Sequence, residues 1–126
     1  MKRDKIIYWV ATTLIVLSLG FAGFAYFTDP AVKAGFKHLG FPNYFRVELG
    51  IAKIIAALVL AIPAVPAQIK EWAYAGVGIT FISAAIAHIS SGDPAGVVIA
   101  PVISFIILVV SYRYYHTQQV VRGQFA

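Results

Sequence analysis

Apolar residues fill four long stretches of the chain, and polar residues collect between them. The stretches are residues 6–27, 45–63, 71–90 and 95–115. At about 1.5 Å per residue, each is long enough to cross roughly 30 Å of hydrocarbon as an α-helix. Their length, and the absence of strict alternation, argue against a membrane β-barrel. Pro63 and Pro66 close the second stretch, and Ser-Ser-Gly-Asp-Pro at 90–94 closes the third. The pattern predicts an all-α membrane protein: a four-transmembrane-helix bundle, one domain over residues 1–126, with no internal repeat or low-complexity segment.

Composition strengthens the membrane reading. The chain is 60% hydrophobic and 12% charged, where a soluble domain has about 45–50% apolar and about 25% charged residues. Mean hydropathy is +0.82. The net charge of +5 does not indicate nucleic acid, because the basic residues are scattered and flank the apolar runs. Topology accounts for them. With the N-terminus inside, Lys2, Arg3, Lys5, Lys70, Arg113 and Arg122 are cytoplasmic, against Lys33, Lys37 and Arg46 outside, six to three. Both termini are thus expected in the cytoplasm, with loops 28–44 and 91–94 outside. An inner aromatic belt of Tyr8, Trp9, Trp72, Tyr74, Tyr112, Tyr114 and Tyr115 agrees, as does an outer one of Tyr26, Phe27, Tyr44 and Phe45. The rival reading of residues 1–27 is a cleaved signal peptide. Against it, the run is longer than an apolar core of about 7–15 residues and lacks a clean small-x-small site. No cysteine is present, which excludes thiolate catalysis, disulfide exchange and Cys-ligated metal or iron–sulfur clusters.

The second span is unusual in carrying Arg46, Glu48 and Lys53, since ionisable groups in hydrocarbon are costly and tend to mark functional positions. On a helical wheel Arg46, Gly50, Lys53 and Ala57 share one face, and Glu48, Ala52, Ile55 and Val59 another about 140–160° away. Glu48 and Lys53 therefore do not form an i,i+4 pair, and at least one must look to another helix. Lys53 lies roughly 12 Å into the span, and equal depth on the other spans falls near Ser18, Ser83 and Ser104. His88 shares the outer level with Arg46 and Glu48, with Asp93 and His38 in the loops nearby. Two alternatives stand beside a ligand site: Lys53 snorkels to the surface, and the serines serve helix contact. His88 is open to proton exchange or to a purely structural role. As a metal site His38, His88 and Glu48 lack ligand spacing, and none is expected. Small residues at 20–23 (Gly-Phe-Ala-Gly) and the stripe Ala73, Gly76, Thr80, Ser83, Ala87 are read as close helix packing.

The stretch FPNYFRVELGIAKIIAALVLAIPAVPAQIKEWAYAGVGITFISAAIAHISSGD resembles the DoxX-like family of small four-helix membrane proteins. The features are Glu-Leu-Gly with a following Lys, a short Pro-interrupted loop, Lys-Glu-Trp-Ala opening the third span, and its Ala-rich end with His and Gly-Asp. The resemblance implies a bundle in a bacterial or archaeal cytoplasmic membrane. Some relatives look like subunits of quinone-linked sulfur oxidation or redox-defence complexes, and distant animal relatives are similar to assembly chaperones or cargo receptors. Arg46, Glu48, Lys53, His88 and Asp93 are the positions onto which a family site would be carried.

Three functions compete. In the first, a redox-associated membrane subunit binds quinone or another small lipophile in the outer half of the bundle, through Lys53, Glu48, His88, Arg46, Ser18, Ser83 and Ser104. It contains no catalytic residue of its own, takes electrons from a partner protein, and is not a complete enzyme alone. In the second, a non-catalytic chaperone stabilises a partner, and the same polar cluster fixes helix register. The third is a proton-coupled transporter acting as a homodimer, with Glu48 as coupling group.

Overall fold

The computed structural model describes residues 2–125, with side chains described for residues 2–119. It is helical, in the order α1 (Lys2–Thr28), α2 (Pro30–His38), α3 (Asn43–Ala61), α4 (Ala67–Ser90) and α5 (Ala95–Phe125). Each boundary has a local cause. Asp29 precedes Pro30, which disfavours helix at that position; its carboxylate then caps α2 by accepting from the Ala31 amide at 2.9 Å. Gly40, at φ +85, and Gly92, at φ +73, turn the chain after α2 and α4 in the left-handed conformation that glycine adopts freely. Pro63 holds Ile62 extended and ends α3, and Pro66 precedes α4.

Short α2 was not legible as an element in the sequence, where residues 28–44 read as loop. It is amphipathic rather than apolar, and Phe36 pins it down by an edge-on contact with Tyr26, ring centroids 5.0 Å apart. The predicted fourth span, 95–115, lies within a longer helix that continues to Phe125; the side chain of Arg122 lies outside the described residues.

The four long helices pack in a ring, α1 on α3, α3 on α4, α4 on α5, and α5 back on α1. Thr12 meets Ser111, and Tyr8 meets Tyr115, so the start of α1 and the later part of α5 share one end with the α3–α4 turn. At the other end lie α2 and the α4–α5 turn. Ile15, Leu19, Leu60, Val77, Phe81 and Leu108 fill the core. Around it, large apolar side chains such as Leu17, Phe21, Phe24 and Ile86 face outward, far beyond what a soluble monomer exposes. Helices α1, α4 and α5 are long and apolar enough to cross a membrane. These are the features of a helical membrane protein. Helix α3, with 19 residues, is shorter and carries the three charges.

Candidate ligand-binding site

The site begins at a helix crossing. A Cβ on Gly23 of α1 would lie 2.7 Å from Ile54 and 3.1 Å from the Gly50 carbonyl oxygen, and one on Gly50 would lie 2.9 Å from the Phe27 ring. Only glycine lets α1 and α3 approach this closely. Their approach puts the Tyr26 ring 4.9 Å from the ammonium of half-buried Lys53, a cation–π contact that partly replaces water.

Beyond Lys53 a cavity of about 520 Å³ opens toward the α2 end. Phe36 and Leu39 of α2, Phe45 and Leu49 of α3, and Phe81 and Ala84 of α4 supply apolar walls. Lys53, Thr80, Ser83, His38 and His88 supply the polar groups. Apolar walls with a few convergent polar groups are the usual form of a small-ligand site.

Asp93 ties the rim of the cavity together. Its two oxygens take one imidazole each, His88 Nδ1 at 2.6 Å and His38 Nε2 at 2.8 Å. Hydrogen bonds from His88 first, and from His38 second, hold the Asp93 carboxyl below its ordinary value. An ionised carboxylate only accepts, so both ring nitrogens donate. A neutral His88 protonated on Nδ1 presents Nε2 as an acceptor, with no partner for that atom among the described residues.

Of the residues picked out in the sequence, Lys53, Ser83 and His88 line this cavity together. Arg46 does not. It donates to the Tyr26 carbonyl, in the last turn of α1, and to Asn43 Oδ1 at 2.9 Å, so it caps α1 and complements the helix dipole. Glu48 points outward on the opposite face of α3 and makes no hydrogen bond or ion pair among the described residues. Ser18 faces outward on α1, and half-buried Ser104 sits on α5; neither lines the cavity. The stripe Ala73, Gly76, Thr80, Ser83 and Ala87 borders open clefts on the α3 side of α4. A Cβ on Gly76 meets nothing within 4 Å. Of the two small-residue segments expected to pack closely, 20–23 does so, at Gly23.

A family model for the DoxX-like family matches residues 10–111. The chain belongs to the DoxX-like family. No curated protein and no solved structure matches it. The matched stretch of this DoxX-like chain includes Lys53, Ser83, His88 and Asp93.

A second polar cluster at the termini end of the DoxX-like bundle was missed. Tyr8, Tyr74 and Tyr115 read as an aromatic belt, yet they are only 4%, 4% and 6% exposed. Tyr74 and Thr12 each share a 2.7 Å hydrogen bond with Ser111. Lys70 read as a cytoplasmic flank, but it is 2% exposed and donates to the Leu60 carbonyl. The signal available was their register: Tyr74, Val77 and Phe81 follow a helical repeat with Lys70. Glu71 accepts from Tyr112 at 2.8 Å and pairs with His116. Among the described residues no group of three or more His, Cys, Asp or Glu side chains is arranged to hold a metal ion.

Proposed function

We infer that this DoxX-like protein binds a quinone or another small lipophilic ligand in the outer cavity, as a redox-associated membrane protein that takes electrons from a partner. The observation that carries this reading is the meeting of Lys53, Ser83 and His88 in one apolar-walled cavity of about 520 Å³. The residues suit a carbonyl-bearing ring. The Lys53 ammonium, a compact charge, and the Ser83 hydroxyl donate to carbonyl oxygens, while His88 accepts from a hydroxyl. No electron carrier of the chain's own enters the reading.

The bundle crosses the membrane four times with both termini in the cytoplasm. Support comes from the common end shared by the start of α1 and the α3–α4 turn, where Lys2, Arg3, Lys5 and Lys70 lie, which fits the bias of basic residues to the inner side. The cavity then opens outward. Single cysteines introduced at Gly35 and Gln118 of this cysteine-free chain test it: labelling of the first from the cytoplasm only reverses the orientation.

The functional test is a quinone titration in lipid nanodiscs, with mass spectrometry of co-purified lipophiles. Lys53→Met fills similar space without the charge. It is expected to keep the thermal transition and weaken quinone binding by about tenfold or more. Unchanged binding by Lys53→Met overturns the reading. Outward-facing Glu48 favours a second one, a partner or second copy seated on that face of α3. Glu48→Gln then weakens cross-linking to that partner and leaves quinone binding unchanged.

A further inference from the structure

A second cavity, of about 400 Å³, lies along the seam between α3 and α4. It shares Leu49, Lys53 and Thr80 with the outer cavity, so the two adjoin at Lys53. The seam is open because both faces are small: Ala52 and Ala56 on α3 meet Ala73 and Gly76 on α4, and these two helices make the sparsest contact in the ring. Glycine within a helix is unfavourable relative to alanine, and no neighbouring atom requires it at Gly76.

Polarity changes along this path. Lys53, Ser83, His38 and His88 are all on the outer side. Toward the inner end, past Lys53, the one hydroxyl is that of Thr80, and it donates to its own helix at the Gly76 carbonyl, 2.8 Å away. From there to Ile69 the seam offers carbon and the Trp72 face. Residues 69 to 80 of α4 span about 16 Å, and 69 to 88 about 28 Å. Polar at one end, apolar at the other and open at the side, the path has the shape of a molecule with a head and one long chain.

We propose that the ligand is a single-chain amphiphile whose polar head sits in the outer cavity beside Lys53 and whose hydrocarbon chain runs down the α3–α4 seam toward Trp72. This rests on the ligand-binding reading above and adds the chain. It also implies that the ligand enters sideways from the bilayer, between α3 and α4, rather than through the rim closed by Asp93.

The test compares duroquinone, which has no chain, with decylubiquinone, which has one, in phosphatidylcholine nanodiscs. Gly76→Leu fills the seam where a Cβ meets open space, and Ala52→Leu does so from the α3 wall. Each variant is accepted only if its thermal transition stays that of the wild type. The expected result is a loss of about tenfold or more in decylubiquinone affinity, with duroquinone affinity held within roughly twofold. If neither variant moves either affinity, or if both affinities fall equally, the seam holds bilayer acyl chains only and the inference is overturned while the outer site stands. If the wild type binds neither quinone, the reading of the outer cavity fails first and this one with it.

Discussion

Lys70 at the start of α4 donates a 3.2 Å hydrogen bond to the carbonyl of Leu60, at the end of α3. Two prolines make this contact necessary. Pro63 stops α3, which leaves its last carbonyls without intrahelical donors, and Leu60 is fully buried, where its own carbonyl has no water to turn to. The next helix returns an ammonium to that position, a favourable charge for a helix C-terminus. The nitrogen also lies 5.9 Å from the centroid of the Tyr115 ring. Lys70→Met keeps the stem and removes the donor. It is expected to lower stability in detergent by about 1–3 kcal/mol, with Lys70→Arg closer to wild type. An unchanged midpoint for Lys70→Met means that the carbonyl is satisfied by another donor.

Ser111 is the hub of the buried hydroxyl chain, 1% exposed between Thr12 and Tyr74. Ser111→Ala removes two buried hydrogen bonds at once and is expected to cost about 1–3 kcal/mol, at roughly 0.5–1.5 for each bond lost. Tyr74→Phe removes one end and leaves the Thr12–Ser111 bond, so its cost is about half. Chemical denaturation of the two variants checks the order, and a larger loss in Tyr74→Phe refutes the hub.

The Asp93 clasp makes α2 sensitive to acid. Its carboxyl is held below its ordinary 3.8 by the imidazole hydrogen bonds. A carboxyl depressed in the folded state contributes stability that is fully present above the unfolded value, and loses it as pH falls through the folded one. Amide protection in residues 31–38, corrected for the intrinsic exchange rate, is therefore expected to be steady at neutral pH and to fall below about pH 4, before the core helices loosen. Asp93→Asn should show fast α2 exchange already at neutral pH. Equal exchange in wild type and Asp93→Asn at neutral pH removes Asp93 from the fastening of α2.

The long helices were legible in the sequence, while the direction of each side chain was legible only in part. Counting residues from the span ends put Ser18, Ser83 and Ser104 level with Lys53, but only Ser83 shares its cavity, since depth does not say which way a helix is turned in the bundle. Within α3 the wheel did separate Lys53 from Glu48, because both sit on one rigid helix at 100° per residue. It could not show that Arg46, on the same face as Lys53, is occupied by the end of α1. The cluster at the termini end was hidden for a related reason. Tyrosine and lysine near a span end suit a membrane interface as well as a buried polar core, and only the packing of α1, α4 and α5 decides between the two.

Gly20 and Gly23, three residues apart in the same small-residue motif, are expected to respond to alanine in opposite directions. A Cβ on Gly20 meets nothing within 4 Å. Alanine there removes the conformational cost of glycine and should stabilise by up to about 1 kcal/mol. At Gly23 the new carbon runs into Ile54 at 2.7 Å and into the Gly50 carbonyl at 3.1 Å. The side chain can turn aside, but the backbone oxygen moves only with α3. Overpacking of this kind costs about 1–3 kcal/mol, which outweighs the helical gain. The consequence reaches the cavity: pushing α3 off α1 draws Lys53 away from the Tyr26 ring, so Gly23→Ala should also weaken quinone binding, while Gly20→Ala leaves it unchanged. Thermal melting and quinone titration of the two variants side by side decide the matter. Equal stability changes would show that the α1–α3 crossing does not depend on Gly23, and a normal affinity in a destabilised Gly23→Ala would separate the crossing from the placement of Lys53.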